Sequence, residues 1–125
     1  MHGYGEFNWT DGKKYIGFYK NDKKEGFGIY YWDEPCKVYI GFWKDGKQNG
    51  VGKYIVSEKR NNYNINNNNM NINIKTYYGI WKNGEKLKIS KNFEDVKDSL
   101  SLREKMYLEF FSYDIYQIKD YINRP

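Results

Sequence analysis

Residues 39 to 52 read Tyr39-Ile40-Gly41-Phe42-Trp43-Lys44-Asp45-Gly46-Lys47-Gln48-Asn49-Gly50-Val51-Gly52, and much of the first ninety residues repeats this text. Tyr39, Gly41 and Trp43 are two apart and share one face of a strand, while Ile40, Phe42 and Lys44 share the other. Both faces therefore carry apolar groups. Asp45-Gly46 marks a tight turn, because such a turn needs positive φ and glycine adopts it freely, and Gly50-x-Gly52 opens a return strand. The stretch reads as one β-hairpin.

Working outward, Gly3-x-Gly5 precedes Gly26-x-Gly28 by 23 residues, and Gly50-x-Gly52 follows 24 later. Tyr15-Ile16-Gly17-Phe18-Tyr19 starts a first full unit, turning at Asn21-Asp22 and returning through Gly26 to Trp32. Asn and Asp both tolerate the left-handed conformation, so Asp22 can stand where the next unit has Gly46. The second unit begins at Tyr39. Glu58 to Lys75 loses the periodicity, with nine asparagines in eighteen residues, and is expected to be a disordered surface insertion. The text resumes at Tyr77-Tyr78-Gly79-Ile80-Trp81 and turns at Asn83-Gly84, after which the glycine pair is missing. The expected organisation is a sheet over 1–90 and a tail over 91–125. The sheet holds a half unit at 3–14, full units at 15–38 and 39–57, the insertion at 58–75 and a half unit at 77–89. Because the N-terminal half unit lacks a leading strand, the sequence reads either as part of a longer array, the favoured reading, or as one whose missing strand is supplied by the tail or another chain.

Beyond residue 90 glycine disappears and the composition turns helical. Ser101-x-x-Glu104 reads as a capping box. At 100° per residue, Leu100, Tyr107, Phe110, Phe111, Ile115, Ile118, Tyr121 and Ile122 form an apolar stripe, which predicts an α-helix over about 101–122. That stripe needs a cover, either the chain's own sheet or a partner. Read as a recognition helix, its anchors would be Tyr107, Phe111, Ile115 and Ile118.

The repeated pattern Tyr-x-Gly-x-Trp-x-x-Gly-x-x-x-Gly-x-Gly resembles the MORN (membrane occupation and recognition nexus) repeat over residues 3–86, the asparagine-rich stretch apart. The first unit departs from it at Tyr19 and Asp22. The resemblance implies a mainly β fold, an elongated single-layer antiparallel sheet of stacked hairpins, here followed by the C-terminal α-helix. Stacking independently predicts two aromatic ladders, Tyr15, Tyr39 and Tyr77 in one, and Tyr19, Trp43 and Trp81 in the other.

Charge and chemistry narrow the function. The net charge of +5 comes from the repeats, with 15 Lys/Arg against 9 Asp/Glu in residues 1–90 and 6 against 7 afterwards. Such an excess attracts anionic surfaces without choosing among them. Lys20, Lys44 and Lys82 share one repeat position and are candidate contacts to an anionic surface, at about 1 kcal/mol per close contact with anionic lipid, although lysines also protect sheet edges. One cysteine, Cys36, and one histidine, His2, leave no disulfide and no Cys/His metal cluster, and favour a reducing, intracellular setting. Asp33 and Glu34 are adjacent in a turn and lack the opposed geometry of an acid/base pair. Gly26 to Trp32 superficially resembles an RNA-binding signature, but Glu25 stands where that signature wants a cation and the repeat explains the rings. No catalytic, cofactor, metal or nucleic-acid site is expected. The expectation is a non-catalytic scaffold or adaptor that binds a protein partner through its groove or tail, with room for a homodimer, in a cytoplasmic assembly on the cytoskeleton or apposed to a membrane. The alternative is a peripheral module that binds anionic lipid weakly and targets an attached enzyme, such as a lipid kinase, to a membrane.

Overall fold

The computed structural model describes residues 2–32, 37–59 and 72–112. Seven strands follow one another: β1 (Gly3–Asn8), β2 (Lys14–Lys20), β3 (Lys23–Trp32), β4 (Lys37–Lys44), β5 (Lys47–Lys59), β6 (Ile72–Lys82) and β7 (Glu85–Ser90). They form one open antiparallel sheet in sequence order, so every strand pairs with its chain neighbours. The N-terminal half unit supplies β1 at one edge, and β7, without a glycine pair, forms the other.

Three tight turns join β2 to β3, β4 to β5 and β6 to β7. Both central residues of each have positive φ, 52° and 63° at Asn21-Asp22, 50° and 81° at Asp45-Gly46, and 50° and 83° at Asn83-Gly84. This two-residue geometry matches the right-handed twist of paired strands. Successive turns are bonded together. The Asp45 N–H donates to the Glu25 carboxylate at 2.9 Å, the Asn83 N–H to the Asn49 side-chain oxygen at 3.1 Å, and the Asn21 N–H to His2 Nδ1 at 3.3 Å. The Gly46 and Gly84 N–H groups donate to the carbonyls of Lys24 and Gln48 at 2.9 and 2.8 Å.

The 58–75 stretch is entered by strands from both sides. The β5–β6 ladder continues through Glu58↔Asn73 to Lys59↔Ile72. Residues 60–71, which make up the rest of the expected insertion, lie outside the described residues.

Pairing register assigns the two faces. One carries Ile16, Phe27, Ile29, Val38, Ile40, Phe42, Val51 and Ile55, which form a buried core together with Val96, Leu100 and Phe111 of the tail. The other carries the buried rings Tyr15, Tyr39, Trp43 and Trp81. The sheet is thus not a bare single layer, because the tail covers one of its faces.

The tail departs from the helix expected of it. Three 3₁₀ segments, Phe93–Asp95, Lys97–Ser99 and Glu104–Ser112, take the place of an α-helix among the described residues. The capping box forms all the same: the Glu104 N–H donates to Ser101 Oγ at 3.1 Å and the Ser101 N–H to Glu104 Oε1 at 2.9 Å. A 3₁₀ helix eclipses residues three apart. Tyr107 and Phe110 are so related, and both rings meet Phe27, at 4.4 and 5.0 Å between centroids. Three-residue winding lays both on one ring of the sheet.

Candidate interaction surface

The tyrosine, the glycines and the tryptophan of each unit make one device. Pairing of β4 with β5 shifts register between Gly41 and Trp43, and pairing of β2 with β3 shifts between Gly17 and Tyr19. The residues skipped are Phe42 and Phe18, and their carbonyls accept the Tyr39 and Tyr15 hydroxyls at 3.3 and 3.0 Å. To reach them, each tyrosine ring lies flat across its glycines. A Cβ on Gly41 would come within 2.6 Å of the Tyr39 hydroxyl, and one on Gly52 would overlap the ring. Gly50, the first of its pair, has φ of 108° and opens the return strand in a conformation that side chains rarely adopt. Burial raises the hydroxyl pKa of both Tyr39 and Tyr15.

The expected pair of aromatic ladders is instead one interdigitated row. Trp43 stands edge-to-face on Tyr15 of the preceding unit at 5.7 Å and on Tyr39 of its own at 5.2 Å, and Trp81 meets Tyr39 at 5.2 Å. Tyr19 packs on Tyr15 at 5.0 Å. Tyr77 is half-buried and outside this cluster.

Above the buried rings lies a second, half-exposed row. Trp9 is 5.6 Å from Tyr30, Tyr30 is 4.2 Å from Trp32, and Trp32 is 6.0 Å from Tyr54. Two lysines rest on it. Lys24 Nζ sits 5.3 to 5.6 Å from the centroids of Trp9, Tyr15, Tyr30 and Trp43, and burial there lowers its pKa. Lys37 Nζ sits 5.2 Å from Trp32 and 5.1 Å from Tyr54. Neither of the lysines nor Trp9, Tyr30, Trp32 or Tyr54 stands out in the sequence as a site. The available signal is the two-residue spacing of Tyr30 and Trp32 on a return strand, with Tyr54 at the position matching Tyr30 in the next unit.

Other candidates fall elsewhere. Tyr107 stacks on Phe27 at an interplanar angle of 9°, and Phe111 is 3% exposed against Phe42 and Phe93. As described, these two anchors cover their own sheet. Ile115 and Ile118 lie outside the described residues. Lys53, buried beneath the tail, donates from Nζ to the Phe111 carbonyl at 2.6 Å. Lys20, Lys44 and Lys82 are exposed just before the three tight turns. Of the apolar residues two positions before them, Phe42 is buried, Ile80 packs against the core and Phe18 is 36% exposed. Lys20 and Lys44 come together at a cavity of about 700 Å³ where the start of the tail meets the turn ends, with His2, Phe18, Arg103 and Glu104. Lys82 is not at that cavity.

No helix among the described residues is long and apolar enough to cross a membrane. Among the same residues, no group of three or more His, Cys, Asp or Glu side chains could hold a metal ion.

Residues 1–14, 15–34 and 39–55 match the MORN repeat family model. These three segments are MORN repeats. The hairpin of β6 and β7 lies beyond the matched MORN segments but continues their sheet, their turn-to-turn bonding and their ring row through Trp81. No curated protein matches this sequence.

Proposed function

We propose that the chain is a non-catalytic MORN-repeat scaffold or adaptor that binds another protein along its aromatic face, within a cytoskeletal or membrane-apposed assembly. MORN repeats are in general protein- and membrane-interaction modules. The observation that carries the reading is the asymmetry of the two faces. The tail seals the aliphatic one, while no described element packs over the Trp9, Tyr30, Trp32 and Tyr54 row on the other. Tyrosine and tryptophan offer large, stiff, amphipathic surfaces, the side chains most enriched where protein interfaces hold most of their energy.

The test is site-specific photo-crosslinking in cell extract. Benzoylphenylalanine at Tyr54 should trap a discrete protein, and the same probe at Met106, exposed on the tail, should trap far less. Equal labelling from both sites, or none from Tyr54, would overturn the reading.

A second reading, a peripheral module that holds an attached enzyme at anionic lipid, is favoured by the three exposed lysines at the turn ends and by exposed Phe18, which lines the cavity with Lys20 and Lys44 and carries Tyr4 against its ring. It predicts vesicle binding that requires anionic lipid, falls steeply with salt and is lost in the Lys20→Gln/Lys44→Gln variant. Binding to neutral vesicles that resists salt would rule out this charge-driven form.

A further inference from the structure

Among the described residues, the ammonium groups of Lys24 and Lys37 are held by rings and meet no carboxylate. Elsewhere lysines pair with carboxylates, Lys13 with Asp11 at 3.0 Å and Lys14 with Glu6 at 3.6 Å. Among the described residues Lys24 and Lys37 make no ion pair, and their ammonium groups rest on ring faces. Of the described carboxylates, Asp11 is paired with Lys13 and Glu25 accepts the Asp45 N–H. Ring faces attract a cation through their quadrupole and fix its position, yet leave its charge available. A lysine pinned in this way loses little further side-chain entropy on meeting an anion, the usual cost that makes exposed ion pairs weak.

Four features converge on one partner chemistry. Among the described residues the face offers two separated cations with no carboxylate partner, and flat rings lie between and around them. The chain's net charge of +5 disfavours a cationic partner. A basic segment would also have to displace both ammonium groups from the rings they occupy. A nucleic acid, charged at every step of its backbone, calls for a continuous cation track, whereas here the row between the two lysines is aromatic.

We infer that the aromatic face receives an acidic segment of a partner protein, whose carboxylates meet Lys24 and Lys37 and whose intervening aromatic or apolar side chains stack on the Trp9, Tyr30, Trp32 and Tyr54 row. The inference rests on the open-face reading above and names the chemistry of that partner.

All four tryptophans, Trp9, Trp32, Trp43 and Trp81, belong to this face, so tryptophan emission reports its occupancy. The full chain is titrated with a poly(Glu,Tyr) copolymer under selective tryptophan excitation, with poly(Glu), poly(Lys,Tyr), single-stranded DNA and anionic vesicles in parallel. The Lys24→Gln/Lys37→Gln variant should bind the acidic copolymer about tenfold more weakly, a difference of about 1.4 kcal/mol, with a shallower salt dependence. Glutamine is what the second unit carries at the position of Lys24, namely Gln48, so the substitution is native to the repeat. Lys91→Gln/Lys105→Gln removes the same charge from the exposed tail and should change affinity less than about twofold. If the double variant melts early, Lys37→Gln alone is read in the same titration. Equal weakening by both double variants, poly(Glu) binding as tightly as the copolymer, or stronger binding by poly(Lys,Tyr), DNA or vesicles would each overturn the inference. Absence of copolymer binding would overturn it as well. Continued trapping of a protein from Tyr54 would then leave the open-face reading standing with a partner of other chemistry.

Discussion

The Trp43 indole N–H donates to the carbonyl of Gly28, 3.3 Å away and fifteen residues earlier, across the junction of two repeat units. The same ring stands edge-to-face on Tyr15 and Tyr39, so one side chain closes the junction by both a polar and an apolar contact. Trp43→Ala should cost about 3–5 kcal/mol, as deletion of a large buried ring does. Trp43→Phe keeps a ring but no donor and should cost on the order of 1–2 kcal/mol. Urea melts decide: a loss below 1 kcal/mol for the alanine variant would show that the junction does not hold the array.

Gly52→Ala should destabilise by about 2 kcal/mol or more, because the methyl group overlaps the Tyr39 ring. Removing the ring removes the overlap. Tyr39→Ala/Gly52→Ala should therefore cost clearly less than the sum of its single variants, and strict additivity in the cycle would show that the two groups do not meet.

The periodicities of two and twenty-four residues carried most of the sheet. Asp45-Gly46 and Asn83-Gly84 announce their turns directly, because few other pairs accept positive φ at both positions. The offset of the rings was not legible in this way. It depends on the slide between neighbouring hairpins, which places Trp43 between two tyrosines instead of above Tyr19. Nor was the tail's winding, since a stripe such as Leu100, Tyr107 and Phe111 fits a helical period of 3.6, whereas Tyr107 and Phe110, three apart, both meet Phe27. Nothing in the sequence singles out Lys24 and Lys37, whose setting depends on the rings beneath them.

Phe111→Asp should lower stability on the order of 3 kcal/mol or more, since it puts a carboxylate where the side chain is buried against Phe42 and Phe93. Light scattering should give the same mass for variant and parent. A dimeric parent that becomes a folded monomer on substitution would instead place Phe111 in an interface between copies.

Replacing residues 60–71 with Asn-Gly joins β5 to β6 just beyond the Lys59↔Ile72 pair. Loop-closure entropy changes slowly with length, so the melt should shift by no more than about 1 kcal/mol. A collapse of folding would assign those residues a part in the core.

Alkali should unfold the chain cooperatively. Burial raises the pKa of Tyr15 and Tyr39 in the fold, so above the ordinary tyrosine value the unfolded chain loses protons that the folded chain keeps. Their contribution is intact below about pH 10 and falls as pH rises further, by about 1.4 kcal/mol per unit for each tyrosine still neutral in the fold. Tyr39→Phe should flatten the decline between pH 10 and 12 by about one such increment, and an unchanged slope in denaturant titrations would count against this origin.

The bonding described between turns has a direction. Each turn offers its N–H groups backward, to an acceptor carried just before the glycine pair of the unit preceding it: His2, Glu25, then Asn49. In the last hairpin, Trp81↔Lys86 and Lys82↔Glu85 place Leu87 at that position, 59% exposed and with no side-chain acceptor. The array is therefore vectorial, and it carries its own stop codon in side-chain form. A unit duplicated between residues 38 and 39 finds an acceptor behind it and supplies one ahead, whereas the same unit grafted after Ser90 arrives at a hydrocarbon.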